Sequence, residues 1–150
     1  MLADKKLTFH TELQPGVELY CDVDKMERVI DNLIRNAIHY SDRDSEIAVT
    51  LKRERARKLT ASPNDNPDES GELEKYEVVL TVTNRGKTIP KEKLNRIFEQ
   101  FYRMDSSRNS ETGGTGLGLA IAKQLVEAHG GSITALSENE RIQFEVRMPA

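Results

Sequence analysis

Gly113-Gly114-Thr115-Gly116-Leu117-Gly118-Leu119 closes a span that opens on Ile97-Phe98-Glu99-Gln100-Phe101-Tyr102-Arg103. Between these ends Ser106, Ser107, Arg108, Asn109, Ser110 and Thr112 leave almost no apolar content. The span reads as a mobile lid, hinged on aromatics at one end and on glycines at the other. The glycines lead into a helix expected from Leu117 to His129, with Leu117, Ile121, Leu125 and Ala128 on its apolar face. Glycines before a helix N-terminus leave backbone N–H groups aimed at an anion, and the helix dipole favours negative charge there. That is phosphate-binding chemistry, although a flexible loop ending in a tight turn is the plainer reading of glycines alone. The run is not a Walker A loop, because Leu119 stands where lysine should follow the last glycine. Nor is it a dinucleotide fingerprint, because the third glycine falls one place early.

Upstream of this span, Asn84-Arg85-Gly86-Lys87-Thr88-Ile89-Pro90 ends an alternating run, Val78, Leu80 and Val82. Glycine there lets a backbone approach a flat ligand closely; a plain turn is the alternative. Lys91 to Gln100 is expected to be a short helix with Leu94, Ile97 and Phe98 inward. Ile47, Val49 and Leu51 alternate in the same way, so the two runs read as adjacent antiparallel strands. Arg55 to Glu74, rich in Ser, Pro, Asn, Asp and Glu, reads as a disordered insertion in their hairpin connection, with no function assigned.

Further back, a strand is expected at Leu7, Phe9 and Thr11, with His10 an exposed strand residue. Gln14-Pro15-Gly16 turns the chain into a second short strand at Val17, Leu19 and Cys21. A helix then starts at Asp22 to Asp24, where Asp24 and Glu27 have capping-box spacing. Val29, Ile30, Leu33, Ile34, Ala37 and Ile38 give it a broad apolar face. Asn32, Asn36 and Tyr40 fall four apart on another stripe. Asparagine is a poor helix former, so two stacked one turn apart give no local gain. They are either a solvated face or a pair of amides holding a hydrated metal or a phosphate, since amide oxygen is a hard ligand suited to magnesium. His39 and Tyr40 close the helix, placed to meet phosphate and to stack or pack. Downstream, Gly130-Gly131 is a C-cap, followed by strands at Ile133 to Leu136 and at Ile142, Phe144, Val146 and Met148.

At 150 residues, 37% hydrophobic and 31% charged, the chain suits one soluble domain with a proper core. A net charge of −3 suggests neither nucleic-acid binding nor a basic membrane patch. With Cys21 the single cysteine, no internal disulfide can form, and a reducing compartment is expected. No Cys/His cluster has zinc spacing, and no apolar run approaches membrane-spanning length.

Four blocks now stand in a set order: Asn32-Leu33-Ile34-Arg35-Asn36-Ala37, Asn84 to Ile89, Phe98 to Arg103 and Gly113 to Leu119. Each is weak alone. Together they closely resemble the catalytic ATP-binding domain of sensor histidine kinases, within the gyrase, heat-shock chaperone and mismatch-repair ATPase superfamily. Lys87 to Ala120 looks most like the vancomycin-resistance type. The resemblance covers the chain from about Leu7 to Pro149. It implies an α/β (α+β) two-layer sandwich, one mixed, mostly antiparallel sheet with three helices on one face.

The resemblance also implies roles. Asn36 would bind magnesium, with Asn32 beside it near the phosphates. His39 would meet phosphate and Tyr40 would stack on adenine. Asn84 stands in place of an aspartate that accepts the adenine amino group, and Gly86, Thr88 and Ile89 would line the base site. Phe98 and Phe101 would anchor the lid, with Tyr102 beside them. Arg103 and Arg108 would reach the terminal phosphates. Gly113, Gly114, Thr115, Gly116, Leu117, Gly118 and Leu119 would wrap the triphosphate. Two positions depart from the pattern: Asn84 carries no charge, and Thr88 replaces a frequent glycine and narrows the approach to the base. Superfamily members that hydrolyse ATP carry a glutamate base at the place of Asn32, and an amide cannot take a proton from water.

No histidine lies in a helical acidic-flanked motif, so the dimerisation helices with the phosphoacceptor are expected elsewhere in a longer parent. The expected ligands are ATP and magnesium. The expected partners are those helices and, through the parent, a response regulator, with no nucleic acid and no direct membrane contact. The domain would be cytoplasmic and the parent membrane-anchored. The alternatives are an anti-sigma-factor-like serine kinase, against which the Phe98-to-Arg103 block argues, and a non-catalytic nucleotide-sensing module.

Overall fold

The computed structural model describes residues 5–55, 76–100, 102 and 118–150. The expected insertion lies almost wholly outside them, as do Phe101, Arg103, Arg108 and the residues from Gly113 to Leu117. Five strands, β1 (Thr8–Leu13), β2 (Glu46–Arg55), β3 (Tyr76–Arg85), β4 (Ser132–Glu138) and β5 (Arg141–Pro149), form one sheet in the order β1-β2-β3-β5-β4. The β1–β2 pair is parallel and the others are antiparallel. Three helices, α1 (Val23–Tyr40), α2 (Lys91–Leu94) and α3 (Gly118–Ala128), complete the mixed α+β sandwich expected from the resemblance. A parallel neighbour requires a crossover, and α1 supplies it between β1 and β2.

The sheet's alternation decides its two faces. Val82, Ile142, Phe144 and Val146 point to one side and meet Val29, Leu33 and Ala37 of α1 and Ala122 and Val126 of α3 in one buried cluster. On the other side Val79 is also buried; its cross-strand neighbours are Lys52 and Arg147, whose long aliphatic stems cover apolar surface while their charges stay wet. Arg147 reaches Glu54 at 3.1 Å, Glu77 at 3.0 Å and Glu145 at 2.6 Å, and Lys52 reaches Glu54 at 2.6 Å. The hydrogen bond from Lys52, then that from Arg147, holds the Glu54 carboxyl below the ordinary glutamate range. A carboxylate whose pKa is depressed in the fold stabilises it above the unfolded value, near about 4.3, and that contribution is lost as pH falls through the folded value. Glu54→Gln should therefore cost about 1 kcal/mol or less at neutral pH, since the pair is partly solvated, and flatten the fall of stability below about pH 4.3. Urea midpoints against pH measure this; an unchanged acid limb would mean that Glu54 is uncoupled from folding.

Four local expectations are corrected. Val17 to Cys21 is not a strand. Gln14 still continues the β1 ladder, its N–H on the Leu51 carbonyl and its Oε1 accepting from Arg53 N, but Gly16 at φ +74 then turns the chain away from the sheet. An alternating run with no neighbouring strand to pair with stays irregular. The N-cap of α1 is Asp22, accepting from Lys25 N at 3.1 Å, and Asp24 lies inside the helix. The Asp22 N–H donates to His129 Nε2 at 3.1 Å while His129 Nδ1 donates to the Leu125 carbonyl at 2.7 Å, tying the start of α1 to the end of α3. Helix α2 stops at Leu94; beyond it the N–H groups of Ile97, Glu99 and Tyr102 reach back three residues, a succession of tight turns that still buries Ile97. Finally, α3 buries Ala120, Ala122 and Val126, whereas Ile121 and Leu125 are half-buried and Ala128 is exposed. Small residues let α3 approach α1 closely, which turns the helix away from the face its larger side chains suggest.

Candidate functional site

The C-terminal half of α1, the end of β3 and the start of α3 converge. Asn32 and Asn36 lie one turn apart on α1 beside the buried Leu33 and Ala37. Each is half-buried, and the Nδ2 atom of each is buried with no hydrogen-bond partner among the described residues. The first residue of α3, Gly118, faces Asn32: a Cβ built on it would lie 3.7 Å from Asn32 Oδ1. Leu119 packs half-buried against the core.

Asn84 sits near the end of β3, with Ile47 and Ile142 opposite it on the adjacent strands. It is 1% exposed, and both Oδ1 and Nδ2 are buried without a partner among the described residues. Among the described residues, the buried side-chain polar atoms that lack a partner all belong to Asn32, Asn36 and Asn84. Leaving such a group unpaired costs about 1–3 kcal/mol, so evolution retains it chiefly where a ligand supplies the missing bond.

The turn after β3 is fixed from two sides. A Cβ on Gly86 would run into the Tyr40 carbonyl oxygen and lie 3.3 Å from both the Tyr40 carbonyl carbon and Asn84 Nδ2. The Arg85 carbonyl accepts from Asp42 N at 2.8 Å, joining β3 to the chain that leaves α1. On the other side the β4–β5 hairpin, turned by Asn139 and Glu140 at φ 51 and 59, staples the loop. Gly86 N donates to the Glu140 carbonyl, Glu140 N donates to Thr88 Oγ1, and Ile89 N donates to Ser137 Oγ, at 3.0, 2.8 and 2.9 Å. Ser137 Oγ in turn donates to the Arg141 carbonyl at 2.9 Å. The Thr88 hydroxyl is thus engaged by the hairpin, and Ile89 is buried.

Tyr40 packs edge-on to His39 with ring centroids 4.5 Å apart, and it contributes to the core. Phe98 meets Phe144 edge-on at 6.1 Å, and Tyr102 lies under the Arg96 guanidinium at 4.6 Å. The end of α1 carries a cap from far away in sequence. Lys5 Nζ donates to the carbonyls of Ile38, His39 and Ser41 at 2.8, 2.7 and 3.0 Å, and burial there pulls its pKa below the ordinary lysine range. The Ser41 hydroxyl takes the Ala37 carbonyl. Sequence reading missed Lys5, Ser41 and Ser137. Only Ser137 leaves a trace, as a polar residue in the inward register of Ile133 and Ala135.

Residues 21–150 match the family described as histidine kinase-, DNA gyrase B-, and HSP90-like ATPase. The chain belongs to that family. Within this ATPase family it is 44% identical over 149 residues to the sensor protein VanSC of Enterococcus gallinarum, covering 99% of the chain and 36% of that relative. It is 41% identical over 129 residues to the sensor protein VanS of Enterococcus faecium, covering 86% of the chain and 28% of that relative. The sensor histidine kinase WalK of Bacillus subtilis (strain 168) is 37% identical, with 81% of this chain and 17% of WalK covered. The chain therefore spans about a third or less of the length of these relatives. The catalytic domain of histidine kinase ThkA superimposes with a TM-score of 0.72 at 23% identity, covering 99% of this chain and 83% of that one. The mycobacterial sensor histidine kinase MprB gives 0.70 at 22%, with 99% and 85% covered. These likenesses show that the ATPase-family domain has the fold of a histidine kinase catalytic domain. No helix among the described residues is long and apolar enough to cross a membrane.

Proposed function

We propose that this chain is the Mg-ATP-binding catalytic domain of a two-component sensor histidine kinase, with the ATP γ-phosphoryl group passing to a histidine on dimerisation helices elsewhere in the parent. The observation that carries the reading is the set of three orphaned asparagines, Asn32 and Asn36 on α1 and Asn84 on β3, each on a position that the family resemblance gives to nucleotide. An amide holds an acceptor oxygen and a donor nitrogen on one carbon, so the same side chain suits a metal, a phosphate oxygen or a base edge. The orphaned atom of Asn32 and of Asn36 is the Nδ2 donor, which suits a phosphate oxygen, while magnesium would take the Asn36 Oδ1, a hard oxygen ligand. When bound, the ion would supply positive charge that offsets the charge developing in transfer.

Asn36 would hold that ion and Asn32 a phosphate or its water. Asn84 would meet the base, with Gly86 and Ile89 beside it and Tyr40 stacked near it. Thr88 would act on the base through the hairpin it holds. His39 would reach phosphate, Arg103 and Arg108 the terminal phosphates, Phe98 and Phe101 would anchor the segment between them, and the glycine run from Gly113 to Gly118 would wrap the triphosphate. Because Asn32 offers no base, water would not be activated, and ATP would be kept for the imidazole. The parent would be membrane-anchored with this domain in the cytoplasm, and a response regulator would receive the phosphoryl group.

Calorimetry should show magnesium-dependent ATP binding at micromolar affinity or weaker, about −8 kcal/mol or less in magnitude. Incubated with labelled ATP, the chain alone should retain no label and release negligible phosphate, and should label a histidine-bearing helix fragment but not a sigma-antagonist serine substrate. Absence of nucleotide binding with magnesium present would rule the reading out.

A further inference from the structure

Which purines the site accepts turns on one side chain, and the inference rests on the nucleotide-binding reading above. Asn84 is 1% exposed, its strand neighbours are Ile47 and Ile142, and neither its oxygen nor its nitrogen has a hydrogen-bond partner among the described residues. Nothing among the described residues fixes which way the amide faces. We infer that Asn84 reads the Watson–Crick edge of a purine in either amide orientation, so that the site takes 6-oxopurine nucleoside triphosphates as well as ATP.

The chemistry is a matter of donors and acceptors. Adenine presents an amino donor at C6 and an acceptor at N1. Asn84 matches it with Oδ1 on the amino group and Nδ2 on N1. A 6-oxopurine presents the reverse, an acceptor at O6 and a donor at N1. Turning the same amide by half a rotation puts Nδ2 on O6 and Oδ1 on N1–H. A carboxylate has no such freedom. It accepts only, so it would face O6 acceptor to acceptor in a site closed to water, where unmatched polar groups are heavily penalised. Asparagine in place of the family's aspartate therefore removes the element that repels 6-oxopurines, rather than only weakening the contact to adenine. Gly86 lies against the Nδ2 side, and its lack of a Cβ spares Asn84 a tight contact, since an added Cβ would stand 3.3 Å from that atom.

The test titrates the chain with ATP, ITP and GTP in the presence of magnesium, then repeats it with Asn84→Asp. ITP lacks the extra amino group of GTP and isolates the edge that Asn84 would read. In the unmodified chain ITP should bind within about ten-fold of ATP, a gap of roughly one such hydrogen bond. Asn84→Asp should widen the ATP preference by roughly 30-fold or more. Binding of ATP with ITP weaker by over about 100-fold in the unmodified chain would overturn the inference while leaving the nucleotide reading intact. Failure to bind ATP at all would overturn both. If the aspartate variant does not fold, the comparison of ATP with ITP in the unmodified chain decides alone.

Discussion

Asn36→Ala should lower affinity for magnesium-ATP on the order of 100-fold, about 2.7 kcal/mol, while changing adenosine binding by less than about two-fold. The loss is the size expected when a buried group bonded to a charged partner is removed. It should disappear when magnesium is chelated, because the ATP then measured in both chains lacks the ion that Asn36 would hold. The free protein should respond in the opposite sense. Asn36 Nδ2 is buried without a partner among the described residues, on an otherwise well-packed helix. Removing it relieves a desolvated donor and replaces a poor helix former by the best one, so the unliganded domain should gain about 1 kcal/mol of stability. A rise in Tm together with lost nucleotide affinity marks a residue kept for its ligand at the expense of the fold. Equal losses of adenosine and ATP binding, or a fall in Tm, would make Asn36 a structural residue instead.

Gly86→Ala should cost about 3 kcal/mol, the upper part of the range for forcing an atom into a packed site. The atom that its Cβ meets is the Tyr40 carbonyl oxygen, a backbone group at the end of α1, so no side-chain rotation relieves the contact. The glycine itself cannot retreat. Its N–H is held by the Glu140 carbonyl at 3.0 Å, and the preceding Arg85 carbonyl is held by Asp42 N at 2.8 Å. Thermal unfolding should show a Tm lower by roughly 6–12 °C for a chain of this size. Gly118→Ala is the control, since its Cβ would stand 3.7 Å from Asn32 Oδ1, an ordinary contact, at the start of a helix that prefers alanine. Equal stability of Gly86→Ala and the parent chain would mean that β3 and α1 separate more easily than their hydrogen bonds suggest.

What could be read from the residues divides along a physical line. Alternation revealed β1, β2, β3 and β5, because period-two burial is written locally, and the run from Ile133 to Leu136 after Gly130-Gly131 marked β4. The long apolar face of α1 was equally plain, and the sheet as a whole followed from four motifs taken in order. Pairing is not local. Val17, Leu19 and Cys21 alternate as well as Val78, Leu80 and Val82 do, yet Gly16 carries the first set away from any partner. The face that α3 buries depends on how closely α1 approaches, which no periodicity records. Within the site, Asn84 read as the end of a strand and took its role from the resemblance, whereas Asn32 and Asn36 stood out because asparagine is wrong for a helix. The groups that support them did not: Lys5 lies 33 residues from the first carbonyl it caps, and Ser137 lies 48 from Ile89.

The joined loop and hairpin bear on how such a domain can be recombined. The segment from Gly86 to Ile89 is bonded not to its own flanks but to Ser137 and Glu140, half a hundred residues further on. A chimera that imports only the first segment from a relative without a hydroxyl at position 88 leaves the Glu140 N–H without its acceptor, while the Gly86 N–H keeps the Glu140 backbone carbonyl. Importing only a hairpin that lacks a hydroxyl at position 137 leaves the Ile89 N–H without its acceptor. The two segments therefore form one transplantable unit, and exchange of the base-contacting loop between family members succeeds as a pair of inserts.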